Sequence, residues 1–430
     1  MQVEERRDIP ASLTACFGPG QIRRGRPEDE VDGLVPAMAL TVRDAREVAS
    51  VIGEAASHGL GLIASGGGTS LVRGRRPKRY DIRLSMRGMA AITELGPADM
   101  TVTAEAGLTL AGLNRRLAEH GQRLALDPEL PERRTLGGLA AEGFAGGLSH
   151  GFGGIRDLVL GLSVVDGKGR ALKTGGRVVK NVAGYDLPRL FVGSAGTLGV
   201  ITELTLRTHP LPEAAATLVF DAGSTDELAE MAAVLEASPL PLAALDLSHS
   251  EAKGDQSLWR LHLRIEGNQE QLRYQWACLG EVAGAVPSEQ LSTWSSPAVV
   301  HPTDTVVVTC VVKPAETTAL ASHLAAAGRQ QHTRIGGHLG SGKVLVALTD
   351  RPAPGQAVDK EVEWINSMRR AAGERGAKLQ VEKCSAAAKE KLDVWALEPE
   401  GSPSANLMAE IKRRFDPDGV LSPGRFVTNP

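Results

Sequence analysis

The sequence predicts an α+β protein in two parts: a glycine-rich N-terminal domain, then a second α+β domain built on an antiparallel sheet. Three observations predict this. From about residue 37 to 212, helical and short strand-like stretches alternate, interrupted by glycine-rich runs. At Pro210-Leu211-Pro212 the organisation changes, and longer strands separated by helices follow. Finally, 430 residues with 42% hydrophobic and 23% charged content suit a globular chain of two or three domains. Only 15 residues are aromatic, so Leu, Val, Ile and Ala must fill the core.

The elements follow in order. Gly18-Pro19-Gly20 and the mixed charges of the first 30 or so residues read as an arm or a partner contact. Thr41 is placed to cap a helix over 42–58, where Val48, Val51, Ile52 and Ala55 recur at helical spacing and Gly59 ends the turn. Residues 60–64 form a short apolar strand that enters Ser65-Gly66-Gly67-Gly68-Thr69-Ser70. A helix over 110–120 places Leu110, Leu113 and Leu117 on one face. The run from Arg134 to Gly154 reads by composition as a loop. Asp166-Gly167 marks a hairpin turn, and 200–206 reads as a strand. Beyond Pro212, strands are expected near 217–220, 242–247, 258–265, 305–312, 343–348 and 378–382, with helices near 225–237, 269–283, 315–327 and 357–373.

Several segments bear on binding. Gly193, Gly196 and Gly199 fall in one seven-residue turn, and successive amides in such turns make anion-binding nests. Ser65–Ser70 adds the Thr69 and Ser70 hydroxyls to three glycines, so it is either a phosphate loop or a plain turn. Gly59-Leu60-Gly61-Leu62-Ile63-Ala64 fits the dinucleotide fingerprint in letters, but it runs from helix into strand, the reverse of that motif. Gly337–Lys343 resembles a P-loop without its magnesium-binding hydroxyl and is followed by a strand, which argues against ATP. A net charge of −3 argues against nucleic acid, and the basic cluster from Arg73 to Arg79 reads as solvated loop charge. Four scattered cysteines suit neither disulfides nor an iron–sulfur cluster, and a reducing cytosol fits them. No signal peptide or membrane-spanning run is apparent.

Lys180-Asn181-Val182-Ala183-Gly184-Tyr185-Asp186-Leu187, followed by the 193–199 turn, resembles the flavin-binding domain of the vanillyl-alcohol oxidase and p-cresol methylhydroxylase (PCMH) superfamily. Phe415-Asp416-Pro417-Asp418-Gly419-Val420-Leu421-Ser422-Pro423-Gly424-Arg425 resembles the closing motif of these oxidases. Within the superfamily the strings are most similar to the second FAD-binding subunit of bacterial glycolate oxidase. The likeness is dense over 35–212, thin to about 405 and clear again to 426. It implies an arm (1–34), a two-subdomain PCMH-type FAD-binding domain (35–212), a substrate-side cap (213–404) and a segment (405–430) that returns to the FAD domain. FAD would be non-covalent, since no histidine lies near the first loop. Ser65, Gly66, Gly67, Gly68, Thr69 and Ser70 would grip its diphosphate. Gly138, Gly143, Gly147 and Asp157 belong to the portion that wraps the flavin ring and ribityl chain. Gly196 belongs to the second glycine turn, and Val200 and Ile201 match backbone contacts to the adenine half. Lys180, Tyr185 and Arg425 either line the flavin or serve as packing and ion-pair residues.

Oxidation of a 2-hydroxy acid requires a hydride acceptor, a cation for the carboxylate and a base for the hydroxyl proton. Relatives carry His-x-Gly-Asp-Gly-Asn-x-His in the cap and a later Glu-His-Gly. Here the first becomes His338-Leu339-Gly340-Ser341-Gly342-Lys343-Val344-Leu345, and the second matches Glu382-Lys383-Cys384. No metal site is expected from what is left. His338 and Tyr185 are the catalytic candidates, with a structural or surface role the alternative for His338. The resemblance implies a subunit that oxidises glycolate or D-lactate to the 2-oxo acid, in complex with a sister FAD subunit and an iron–sulfur subunit that hands electrons to quinone. The alternative is a non-catalytic FAD relay or assembly subunit beside a catalytic sister flavoprotein. An NAD(P)H-dependent flavin reductase is weaker, for want of a nicotinamide fingerprint. The expected location is cytoplasmic, or peripheral at the inner membrane with contact made only through partners.

Overall fold

The computed structural model describes residues 9–15, 17–176, 186–251, 257–282, 287–291, 293–297, 301, 304–328, 333–349, 357–395 and 401–426. It has the predicted α+β class. The first sheet contains β1 (Ile22–Arg24), β2 (Met38–Thr41), β3 (Leu62–Ser65) and β4 (Ile82–Ser85) in the order β1-β2-β4-β3. β2 and β3 both run parallel to β4, because helix α2 (Ala45–Ser57) carries the chain across between them. Val48, Val51, Ile52 and Ala55 are buried, as their spacing predicts. The cap, however, is Asp44, whose carboxylate accepts from the amides of Arg46 and Glu47, while Thr41 stays in its strand. Residues 9–34, expected as an arm, pack on this sheet: α1 (Ala11–Ala15) buries Leu13 in its core, and β1 pairs antiparallel with β2.

The second subdomain contains β5 (Ile92–Gly96), β6 (Thr101–Glu105), the two-residue β7 (Gln122–Arg123), β8 (Val159–Asp166), β9 (Ala171–Gly175), β10 (Gly199–Arg207) and the two-residue β11 (His209–Pro210). Five of these form an antiparallel sheet ordered β5-β6-β10-β8-β9, and β7 pairs with β11. Helix α3 (Leu110–Ala118) buries Leu110, Leu113 and Leu117 against it. In the β8–β9 hairpin, buried Asp166 accepts from the amides of Lys168 and Arg170 and from the Arg170 guanidinium.

The run from Arg134 to Gly154 is not the loop its composition suggests. It holds α4 (Leu136–Glu142), α5 (Ser149–Phe152) and α6 (Ile155–Leu158). Thr135 caps α4, Gly143 at φ +71° ends it, and Leu136, Leu139 and Ala140 anchor it in the core. Glycine is needed inside it because a Cβ on Gly137 would lie 2.7 Å from that of Ala106. A short helix α7 (Pro188–Phe191) precedes the 193–199 turn.

The second domain is one antiparallel sheet of β12 (Ala214–Ala222), β13 (Leu242–Glu251), β14 (Ser257–Gly267), β15 (Glu289–Leu291), β16 (Val306–Val311), β17 (Thr333–His338), β18 (Lys343–Leu348) and β19 (Lys378–Lys383), ordered β15-β12-β14-β13-β17-β18-β16-β19. Side chains alternate across it. Leu245, Leu247, Leu261, Leu263, Val308 and Val346 join the large core that includes α8 (Thr225–Ala237), α9 (Gln269–Val282), α10 (Thr317–Gly328), α11 (Ala357–Glu374) and α12 (Ala386–Lys391). The opposite face meets the glycine-rich domain, where Gly147 abuts Asp246 and Gly151 abuts Ala243.

Helix α13 (Pro403–Phe415) returns to the first domain. Phe415 meets Phe191 edge-on at 5.3 Å, and Leu421 bridges in parallel to Leu62 at the margin of the first sheet. The buried Lys412 ammonium donates to the carbonyls of Thr197 (2.8 Å) and Leu421 (2.9 Å) and pairs with the fully buried Asp416. No helix among the described residues is long and apolar enough to cross a membrane.

Candidate functional site

Strand β3 ends at Ser65 and opens into the 66–70 loop. Among the described residues, the amides of Gly66 to Ser70 donate to no protein acceptor, so five successive N–H groups are available. The glycines have a packing reason as well. A Cβ on Gly66 would lie 1.9 Å from Thr135 Oγ1, one on Gly67 would lie 1.7 Å from the Arg133 carbonyl oxygen, and Gly68 has φ +75°. The loop thus rests directly on the segment that starts α4. Its far end is fixed by charge: Ser70 Oγ donates to Glu142 (2.6 Å), Arg134 donates to Ser70 Oγ (2.8 Å) and to Glu142, and Arg73 donates to the Glu142 carbonyl (2.8 Å). Burial opposes ionisation of Glu142, yet Arg134 and Arg73 hold its carboxyl below the usual range.

Behind this loop lies a cleft between the two subdomains. The structure brings Ser65, Gly66, Gly138, Gly196, Val200 and Ile201 together around it. Others in the predicted set sit elsewhere. Gly143 is the αL cap of α4, facing Gly193. Gly147 packs on Asp246 and Trp294 of the second domain. Asp157 is exposed and accepts from the amide of Gly154 at the start of α6. Arg425 is buried and donates to the carbonyls of Leu71 (2.7 Å) and Arg73, so it holds the chain just beyond the glycine loop. Lys180 and Tyr185 lie outside the described residues.

The arginines after the loop are partly solvated, as their sequence reading expects, but they are also ion-paired. Arg73 pairs with Glu382 (2.8 Å), Arg75 with Asp393 (3.1 Å) and Arg76 with Glu390 (2.5 Å), which ties the loop to the second domain. Lys389 does the same from α12, donating to Asp32 (2.7 Å) and to the Val72 carbonyl. No local pattern could have revealed these pairs, whose partners are more than 300 residues apart.

On the facing sheet, register sets His262, Asp246, His338 and Lys343 in one row across β14, β13, β17 and β18. Directly paired residues project to the same face. Asp246 is fully buried; it accepts from Ser296 Oγ (2.7 Å) and lies 3.0 Å from His338 Nδ1. A carboxylate only accepts, so Nδ1 carries the hydrogen shared with Asp246. His338 is therefore half of a buried carboxylate–imidazole pair rather than a surface residue. Glu382 is taken up by Thr309 Oγ1 (2.8 Å) and Arg73, and no group of three or more His, Cys, Asp or Glu among the described residues could hold a metal ion.

Asp127 faces this row from the first domain. Its Oδ2 accepts from Trp294 Nε1 (2.7 Å) and the Leu148 amide (3.2 Å), whereas its Oδ1 is buried without a partner. Burial, assisted by the charge of Asp246, pushes its carboxyl above the usual range. A raised folded-state value favours the fold at low pH and disfavours it once the group must ionise. Asp127→Asn is expected to stabilise the protein by ~1 kcal/mol near pH 7. The gain should shrink towards zero as pH falls to about 4. Denaturant titrations of both proteins across that range measure it.

A parallel-stranded subdomain and an antiparallel subdomain meet beside a glycine loop whose amides are free, an arrangement suited to a bound diphosphate. Residues 36–175 match the family model for the FAD binding domain (FAD_binding_4). The chain is 36% identical over 204 residues to glycolate oxidase subunit GlcE of Escherichia coli (strain K12), a match covering 47% of this chain and 55% of that one. It is 31% identical over 225 residues to the mitochondrial D-lactate dehydrogenase [cytochrome] of Arabidopsis thaliana, covering 52% and 39%. The chain thus spans about half the length of these curated relatives, or less. Its fold is similar to that of alkyldihydroxyacetonephosphate synthase, with a TM-score of 0.72, 16% identity, and coverage of 98% of this chain and 86% of that one. FAD is the cofactor, and the site suits it. The nest of amides at 66–70 matches a diphosphate, and glycines line the cleft beside it.

Proposed function

We propose that this chain binds FAD non-covalently and oxidises a small 2-hydroxy acid, glycolate or D-lactate, within a complex containing a sister FAD subunit and an iron–sulfur subunit that delivers electrons to quinone. The observation that carries this reading is the buried Asp246–His338 pair, which faces the glycine-rich domain across the domain junction. Bound FAD supplies a two-electron acceptor. The loop amides of 66–70 would hold its phosphate oxygens, and Val200 and Ile201 in the cleft would meet the adenine half. Asp246 fixes the tautomer of His338, and His338 Nε2 accepts the hydroxyl proton of the substrate. The relatives named for glycolate oxidase and D-lactate dehydrogenase support the substrate class. In this reading the protein is cytoplasmic and reaches the inner membrane only through its partners.

One observation favours a second reading, in which this subunit only relays electrons. Ser341 and Leu345 stand where the resembled oxidases carry Asp and the second His. Anaerobic mixing with glycolate and with D-lactate separates the two. Direct oxidation bleaches the flavin of this chain alone, whereas a relay bleaches only after the sister subunit is added. If neither condition bleaches it, both readings fail.

A further inference from the structure

We propose that Lys343 provides the positive charge that binds the substrate carboxylate, a role resting on the 2-hydroxy-acid reading above. The register of β17 and β18 sets Lys343 directly opposite His338. Paired residues in such a ladder have Cα atoms about 4.5–5.5 Å apart and side chains on the same face. A 2-hydroxy acid carries its hydroxyl and its carboxylate on adjacent carbons. Its base and its cation must therefore be neighbours, as these two are.

Charge accounting singles out Lys343. The other basic side chains at this junction are committed: Arg73 to Glu382, Arg134 to Glu142, Lys389 and Arg425 to Asp32. Lys343 is half-buried and makes no hydrogen bond or ion pair among the described residues. Val344 and Val346 point into the helix-side core, so Lys343 and its partner His338 project to the opposite face, which meets the glycine-rich domain. Polar groups without partners gather nearby. Asp127 Oδ1 and His150 Nδ1 are both buried and unsatisfied, with His150 against Gly340 in the turn that leads to Lys343. Buried groups left unpaired are costly, and a polar ligand or the water around it would satisfy them.

Neighbouring positions agree with this assignment. Asp246, His262 and His338 complete the row, and burial pushes both His262 and His150 down, towards their neutral forms. Lys343 is then the one uncommitted cation beside His338 among the described residues.

The test uses oxalate, a carboxylate ligand with no hydrogen to give up, titrated by calorimetry into the FAD-loaded chain. Lys343→Met is expected to weaken oxalate binding about tenfold or more with flavin content unchanged. Lys343→Arg should keep affinity within a few-fold. Thermal melts of each variant separate lost binding from lost fold. Equal oxalate affinity in wild type and Lys343→Met, or no binding by wild type, overturns the assignment. If oxalate binding depends on Lys343 but neither glycolate nor D-lactate bleaches the flavin, the carboxylate site stands and the oxidase reading fails on its own.

Discussion

Gly67→Asp is expected to yield a protein that purifies with less than about a tenth of the wild-type flavin. Two effects act together. Any side chain at this position must displace the backbone of Arg133, because a Cβ would lie 1.7 Å from its carbonyl oxygen. An aspartate also sets a carboxylate against the cofactor's diphosphate. Gly67→Ala isolates the packing effect, so a higher flavin content in Gly67→Ala than in Gly67→Asp measures the part due to charge. The absorbance ratio of flavin to protein reads both. Wild-type flavin content in Gly67→Asp would reduce residues 65–70 to a simple turn.

The second large effect concerns Lys412. Lys412→Met removes the only side chain paired with Asp416 among the described residues, and leaves that carboxylate fully buried with only the amides of Val420 and Leu421 donating to it. Breaking one side of a buried ion pair costs about 3–5 kcal/mol. The same change frees the Thr197 carbonyl, so the 193–199 turn loses one anchor to the C-terminal segment and keeps the Ser422 hydroxyl bond to the Gly196 carbonyl. Urea unfolding is expected to show the full loss, with flavin released at lower denaturant concentration than in the wild type. A loss below about 1 kcal/mol would mean that the apolar contacts and backbone hydrogen bonds of the segment hold it without the ion pair.

Periodicity made much of the fold legible. Val48, Val51, Ile52 and Ala55 repeat at a helical interval and are buried. The strands of the second domain are apolar runs, found close to where they were expected. Glycine hid the rest. α4 carries Gly137 and Gly138, which lower helix propensity, and Gly137 is required where the helix backbone nears Ala106. β17 carries Gly336 and Gly337, and a Cβ on Gly337 would press on Leu247. Losing β17 from view also concealed the environment of His338, because Asp246 is 92 residues away and is brought beside it only by sheet register. Of the fourteen cleft-lining residues, motif resemblance singled out Ser65, Gly66, Gly138, Gly196, Val200 and Ile201, whereas the ion pairs that brace the loop join segments with no local sequence relation.

The return of the chain after the second domain also sets an order of events during synthesis. Val420 and Leu421 complete the margin of the first sheet: the Leu62 amide donates to the Val420 carbonyl, and the Ser422 amide to the Leu62 carbonyl. The glycine turn at 193–199 likewise waits for Lys412. A nascent chain that has made only its first 212 residues lacks these contacts, and it must produce the whole second domain before they form. Closure over so long a span is entropically slow. A chain truncated after residue 212 is therefore expected to purify with less flavin than the full chain, which the absorbance ratio of flavin to protein measures.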